Sequence, residues 1–158
     1  MFIPSIKVHN EYGDFDSTLE WKCYEQKILP FKNSGEYFNV LLHTTYEIIP
    51  KLIKKVTIQL KTKTKVVERV VEHNASYTCD FQYSINTDNG EQIHIVEFKS
   101  KFSAKDFAYT LRRKLIRMRI AEWNEKEGWE KFVFHEYKES DLELPPKKPR
   151  KKKEQKSK

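Results

Sequence analysis

Apolar residues recur at helical spacing near the start of the chain. In residues 15–29 (FDSTLEWKCYEQKIL) the apolar positions are Leu19, Cys23 and the pair Ile28–Leu29. Intervals of about four residues are typical of one face of a helix. Pro30 and the polar stretch after it favour a stop. The pattern therefore predicts a first helix that ends before Pro30.

A second helical pattern covers residues 103–128. Its apolar stripe consists of Phe107, Leu111, Leu115, Met118 and Ala121. Ser103 with Asp106 resembles a capping box at the start of this segment, and Gly128 is typical of a helix end. We expect a helix over this whole range.

Between and after the helices the period is that of strands. Runs rich in apolar and β-branched residues cover residues 37–50, 56–60, 66–71, 76–85, 92–100 and 131–137. Asn89-Gly90 lies between two of these runs and is a hairpin signal. The order of helix, antiparallel strands, helix and strand predicts an α/β fold with a central mixed sheet flanked by helices.

The net charge of +7 is concentrated at the C-terminus. Residues 147–158 (KKPRKKKEQKSK) hold eight Lys/Arg and one Glu, so the rest of the chain is neutral, with 22 basic and 22 acidic residues. We expect one domain over residues 1–140 and a disordered Lys/Arg-rich tail over 141–158. The tail is either a salt-dependent nucleic-acid contact, a solubilising terminus or a nuclear import signal.

Several classes of protein are disfavoured by composition. No apolar run approaches the roughly 20 residues of a membrane helix, and the N-terminus has no secretory signal pattern. Two cysteines give no disulfide framework, and the scattered histidines give no zinc pattern. These features favour a reducing, cytoplasmic setting.

The stretch HIVEFKS (residues 94–100) places two charges in an apolar strand. Glu97 and Lys99 lie on one face because side chains alternate along a strand, and burying them is costly unless they are paired or used. The hairpin brings Asp80 beside Glu97, where two carboxylates suit a hard cation such as Mg²⁺. Lys99 would then orient or deprotonate an attacking water, an arrangement suited to phosphodiester hydrolysis. The alternative is a solvent-facing Glu97–Lys99 pair with Asp80 at a strand end.

Glu20 has two interpretations. Ser17 and Glu20 form the S-x-x-E pattern of a capping box, so Glu20 is expected to cap the first helix. Alternatively its carboxylate reaches the sheet and completes a metal site with Asp80 and Glu97.

The motifs FDSTLEWKCYEQ, LLHTTYEIIPK, YTCDFQY and HIVEFKSKFSAKDFAYTLRRKLIR occur in the order found in the PD-(D/E)XK nuclease superfamily, which the chain resembles over about residues 8–137. More narrowly, it is similar to a group of small phage and prophage proteins, and it also resembles Holliday-junction resolvases and the endonuclease subunit of cut-and-paste transposases. The resemblance implies a restriction-endonuclease-like αβββαβ core. It implies a catalytic set of Glu20, Asp80, Glu97 and Lys99. The three carboxylates would hold Mg²⁺, with Mn²⁺ as a substitute.

Basic residues follow the predicted active-site strand. Residues 99–119 contain eight Lys/Arg against Asp106 alone. Most of these side chains fit a solvated helix face, but some are expected to meet backbone phosphates. The residues expected to bind these phosphates are Lys101, Arg113, Lys114 and Arg117.

These observations predict a Mg²⁺-dependent DNA endonuclease. The resemblance favours a junction-resolvase-like role in phage or prophage DNA recombination, inside a bacterial host cell. A homodimer is expected because resolving a four-way junction needs two symmetric cuts. Two alternatives stay open: a non-catalytic nucleic-acid-binding protein of the same fold, and a nuclease subunit active only with a protein partner.

Overall fold

The computed structural model describes residues 6–101 and 103–145. Within these ranges the helices are α1 (Thr18–Lys27), α2 (Leu29–Ser34) and α3 (Phe107–Glu127), with short 3₁₀ turns at Ser103–Lys105 and Glu139–Asp141. The strands are β1 (Val8–Asn10), β2 (Gly13–Phe15), β3 (Phe38–Leu42), β4 (Thr45–Ile49), β5 (Leu52–Gln59), β6 (Thr64–Glu72), β7 (Ala75–Thr78), β8 (Phe81–Thr87), β9 (Gly90–Lys99) and β10 (Phe132–Lys138).

A four-stranded mixed sheet forms the centre of the molecule, in the order β3-β8-β9-β10. Strands β3, β8 and β9 are antiparallel neighbours, and β10 pairs with β9 in parallel after the crossover through α3. The register places Glu136 of β10 opposite Glu97 of β9. The predicted α/β architecture with a central mixed sheet is confirmed at this level.

The helices cover opposite faces of the sheet. On one face, Cys23 and Tyr24 of α1 pack in a buried cluster with Phe81 and Val96. On the other, Ile116 of α3 packs in a second cluster with buried residues that include Ile95 and Tyr77. The alternation of strand side chains produces both cores, since Ile95 and Val96 are neighbours that point to opposite faces.

Two of the antiparallel strands are continued past a bend. Strand β4 follows β3 in the chain, and β7 precedes β8. Strands β4 and β7 pair with each other as a separate two-stranded sheet. The bend lies at His43, whose φ of 53° is in the left-handed region that side chains disfavour. Backbone hydrogen bonds from His43 to Asp80 (3.1 Å) and from Cys79 to Thr44 (3.0 Å) join the two strands there.

Some predicted boundaries are wrong. The first helix ends at Lys27, before Pro30 as predicted, but the polar stretch after it forms α2, which begins at Leu29 and holds Pro30 in its first turn, where proline is tolerated. Helix α3 begins at Phe107 with Asp106 as its N-cap, four residues after the predicted start. The predicted strand 37–50 is interrupted at His43, and the β1–β2 hairpin was not predicted. Gly128 ends α3 in the left-handed conformation, as expected.

The folded body continues beyond the predicted boundary at residue 140. Leu142 is buried in the α1-side core, and Gln26 exchanges two hydrogen bonds of 2.9 Å with the backbone of Glu143. Most of the predicted tail, residues 146–158, lies outside the described residues. Within the described ranges there is no helix long and apolar enough to cross a membrane.

Candidate active site

The four predicted catalytic residues lie at one end of the central sheet. Glu20 comes from the first turn of α1, and Asp80 precedes β8. Glu97 and Lys99 are at the end of β9, next to Asp80, whose backbone N–H donates to Val96 (3.1 Å). The fold therefore brings together residues that are up to about eighty positions apart in the sequence.

Glu20 combines the two roles that its sequence position suggested. Ser17 is the N-cap of α1 and its hydroxyl accepts from the Glu20 N–H (3.1 Å). One carboxylate oxygen of Glu20, Oε2, accepts from the backbone N–H of Asp16 (3.0 Å). The other, Oε1, is buried and has no hydrogen-bond partner among the described residues. Oε2 thus contributes to the start of the helix, while Oε1 has no hydrogen bond and is available to a ligand.

Burial of this carboxylate changes its acidity. The side chain of Glu20 is 5% exposed. Loss of hydration raises the pKa of Glu20 to about 7, against the opposing effect of the nearby His43 imidazole. A carboxylate that is costly to ionise and lacks a partner gains most from a bound cation.

His43 faces the free oxygen of Glu20. Its Nε2 atom lies 3.8 Å from Glu20 Oε1 and 2.9 Å from the carbonyl oxygen of Asp14. Glu20, His43 and Asp80 each offer one ligand atom, and these atoms all lie within 4.8 Å of one another. The bend between β3 and β4 is what places the imidazole in this group.

Asp80 is oriented by the neighbouring strand. Its Oδ2 atom accepts from the backbone N–H of Phe98 at 2.6 Å. Burial, and secondly the negative charge of Glu97, raise the pKa of Asp80, while the Lys99 ammonium opposes the change. Like Glu20, it favours a positive charge nearby.

Glu97 has different partners from those expected of a metal ligand. Its side chain is buried, and it accepts from the Tyr77 hydroxyl through Oε2 and from Lys99 Nζ through Oε1. It does not belong to the ligand group of Glu20, His43 and Asp80. Glu97 here holds Lys99 beside that group.

Lys99 lies between a carboxylate and an aromatic ring. Its Nζ atom is 4.6 Å from the ring centre of Tyr109 on α3. The Tyr109 hydroxyl donates to Glu136, which also accepts from Arg113 (2.8 Å). Contacts on both sides therefore fix the ammonium of Lys99.

The predicted phosphate-binding residues lie on α3 or just before it. Arg113, Lys114 and Arg117 line one shallow, open depression on α3. Arg113 is also ion-paired to Glu136, and its guanidinium lies 5.5 Å from the ring centre of Tyr109. Lys101 is exposed beyond the end of β9. Basic groups thus extend from Lys99 along α3.

The residues present fit a divalent metal ion. Glu20 Oε1 is a buried oxygen that lacks a partner, and Asp80 is a second carboxylate within reach. Carboxylates suit Mg²⁺ and Mn²⁺, and the imidazole of His43 adds a ligand that transition ions accept more readily than Mg²⁺ does.

Comparison of the chain with protein-family models, curated proteins and solved structures finds no match.

Sequence reasoning missed three residues of this region. His43 is a polar residue at the end of an apolar run, the same signal that singled out Glu97. Tyr77 and Tyr109 gave no such signal, because aromatic residues at strand and helix positions are usually core residues. Their hydroxyl contacts depend on tertiary packing.

Proposed function

We propose that this protein is a metal-dependent DNA endonuclease with a restriction-endonuclease-like core. The observation that carries the proposal is the free, buried oxygen of Glu20 facing His43 and Asp80, beside a lysine fixed by Glu97. The element order α1-β3-β8-β9-α3-β10 supports an αβββαβ core of this kind. The role in phage or prophage recombination, the homodimer and the cytoplasmic location rest on the sequence resemblance.

Glu20 and Asp80 would hold Mg²⁺ or Mn²⁺. His43 would complete the group by exchanging the Nε2–H hydrogen bond to the Asp14 carbonyl for the ion, with the ring proton on Nδ1. The bound ion supplies Lewis-acid chemistry that polarises a phosphoryl oxygen and activates water. Lys99 offers an ammonium that stabilises negative charge developing on the phosphate. Glu97 and Tyr109 hold that ammonium in place.

The basic side chains on α3 provide a path for the DNA backbone. Lys114 and Arg117 line the same depression as Arg113, and Arg113 adjoins Lys99 through Tyr109. A phosphodiester chain along this path would present one phosphate to Lys99 and others to α3.

A cleavage panel tests the proposal. The purified full chain is incubated with four-way junction, flap, nicked, duplex and single-stranded DNA in Mg²⁺ or Mn²⁺. Asp80→Asn should reduce cleavage on the order of 100-fold or more while DNA binding persists. Asp88→Asn makes the same chemical change in the exposed turn between β8 and β9 and should leave cleavage unchanged.

Two results would overturn the proposal. Equal cleavage by the wild type and Asp80→Asn would remove this site from the reaction. Failure of the wild type to cleave any of the structures would reject an endonuclease that acts alone, and would favour a binding protein or a subunit that needs a partner.

A further inference from the structure

The hairpin formed by β5 and β6, here called the β5–β6 ribbon, is separate from the central sheet. Its two strands pair only with each other among the described strands. Most of its side chains are exposed, including those of Leu52, Val66 and Val71. A two-stranded ribbon is only marginally stable alone in water. This extension therefore gains stability from any partner that it binds.

Charge on the ribbon is strongly positive. Residues 51–72 contain seven basic and two acidic residues. The basic residues are Lys51, Lys54, Lys55, Lys61, Lys63, Lys65 and Arg69. All seven are exposed, and none of them forms an ion pair with another described residue. The predicted domain is neutral overall, so this is a local excess and not a share of the C-terminal charge.

The excess lies on one face. Cross-strand partners share a face, and the register pairs Lys54 with Arg69, Val56 with Val67, and Ile58 with Lys65. Leu52 shares this face with Lys54 and pairs with Glu72 across an irregularity at the base of the ribbon. The face therefore carries three positive charges and one negative charge.

The opposite face is neutral. Its partners are Ile53 with Val70, Lys55 with Glu68, Thr57 with Val66, and Gln59 with Thr64. The single positive charge of Lys55 is offset by Glu68 directly across the ribbon. The two faces thus differ in charge but not in strand geometry.

We propose that the β5–β6 ribbon is a duplex-DNA-binding arm whose Lys54–Lys65–Arg69 face contacts backbone phosphates. The major groove of B-form DNA admits a two-stranded ribbon, and a face with a net positive charge is complementary to its phosphate walls. Lys61 and Lys63 at the turn add charge at the leading end.

The arm is connected directly to the candidate active site. Strand β4 begins two residues after His43, and Lys54 follows His43 by eleven residues. Their Cα atoms are thus separated by at most about 40 Å, which spans about one turn of duplex. One duplex can therefore meet the site and the arm together.

The test compares neighbouring lysines on opposite faces. Lys54→Gln and Lys55→Gln remove the same charge one residue apart. Duplex binding by the full chain is measured in EDTA over a range of salt concentrations. The slope of log K against log salt is negative, and Lys54→Gln should reduce its magnitude by about 0.9, the contribution of one phosphate, while Lys55→Gln leaves it unchanged. The triple variant Lys54→Gln, Lys65→Gln, Arg69→Gln should reduce the magnitude by about 2.7.

The proposal depends on the proposed function only in taking DNA as the ligand, and binding in EDTA separates the two. If the wild type cleaves no DNA but the salt slopes of Lys54→Gln and Lys55→Gln differ as expected, the nuclease proposal fails and the DNA-binding arm is still supported. Equal effects of Lys54→Gln and Lys55→Gln would overturn the arm, as would absence of duplex binding. If the triple variant changes the sedimentation coefficient but not DNA affinity, the ribbon binds a second copy and the proposal fails.

Discussion

The backbone N–H of His43 donates to the carbonyl oxygen of Asp80 at 3.1 Å. This bond joins the two strand bends from which both side chains reach Glu20. The left-handed backbone of His43 costs free energy that the surrounding structure must offset. Strained backbone of this kind concentrates at functional sites. The His43–Asp80 bond therefore holds together two side chains of the proposed metal site.

Replacement of His43 by Asn should weaken metal binding. Asn tolerates the left-handed conformation better than most residues, so the bend is kept while the imidazole is lost. Mn²⁺ affinity should fall by about tenfold or more, and Mg²⁺ affinity by less, because imidazole favours transition ions. Isothermal titration calorimetry measures both. His9→Asn, in the exposed β1 strand, is the matched control and should change neither.

Stability without metal should fall as the pH rises. The pKa of Glu20 is about 7 in the folded protein against an ordinary value of 4.5, so its stabilising contribution is complete below about pH 4.5 and is lost as the pH rises through 7. The loss is on the order of 3 kcal/mol. The raised pKa of Asp80 acts in the same direction. Melting temperatures in EDTA between pH 5 and 8 measure the effect.

Glu20→Gln isolates the contribution of this residue. The amide does not titrate, and its oxygen can still accept from the Asp16 N–H, so the fall with pH should be smaller than in the wild type. Glu25→Gln, an exposed position on the same helix, should reproduce the wild-type curve. Parallel curves for Glu20→Gln and the wild type would contradict the assignment of the raised pKa.

Much of the fold follows from the sequence because its long elements are strongly periodic. The alternation in β9 is kept in the structure, and Asn89-Gly90 leads directly from β8 into β9. The helical period of α3 is also correct, but the predicted apolar stripe is not the buried face: Phe107, Leu111 and Met118 are exposed, whereas Ile116 and Ile120 are buried. The break at His43 was not predicted, because the threonines after it suit a strand and the cause of the break is the left-handed backbone of His43. Pro30 correctly marks the end of the first helix, but proline is tolerated in a first helical turn, so its presence does not exclude the second helix that begins at Leu29.

The site was only partly predictable for a related reason. Glu97 and Lys99 are recognisable as candidate site residues because burying charge within an apolar strand is costly. The Glu97–Lys99 pair is one of the two arrangements expected, but it is buried and not solvent-facing. The contact of Glu97 with Tyr77 depends on side-chain geometry, which spacing does not encode. His43 joins Glu20 only because a bend between β3 and β4 turns it toward α1.

Loss of Lys99 should destabilise the protein even without DNA. Lys99→Met leaves the buried carboxylate of Glu97 with Tyr77 as its hydrogen-bond partner among the described residues, at a cost of about 3–5 kcal/mol of unfolding free energy. The double variant Lys99→Met, Glu97→Gln should recover much of this loss, because no unpaired charge remains. Urea denaturation of both single variants and the double variant gives the coupling energy. Additive single effects would show that the pair contributes no coupling.

Substitutions of Arg113 and Lys114 should distinguish a structural role from a DNA-binding role on α3. Arg113 is paired with Glu136, so Arg113→Gln should reduce both thermal stability and DNA affinity. Lys114 is exposed and has no ion pair among the described residues. Lys114→Gln should therefore leave the thermal stability unchanged and reduce the magnitude of the slope of log K against log salt by about 0.9. Lys126→Gln removes the same charge in the last turn of α3 and serves as the control, which should leave this slope unchanged. An identical slope for Lys114→Gln and the wild type would place the DNA elsewhere than along this helix.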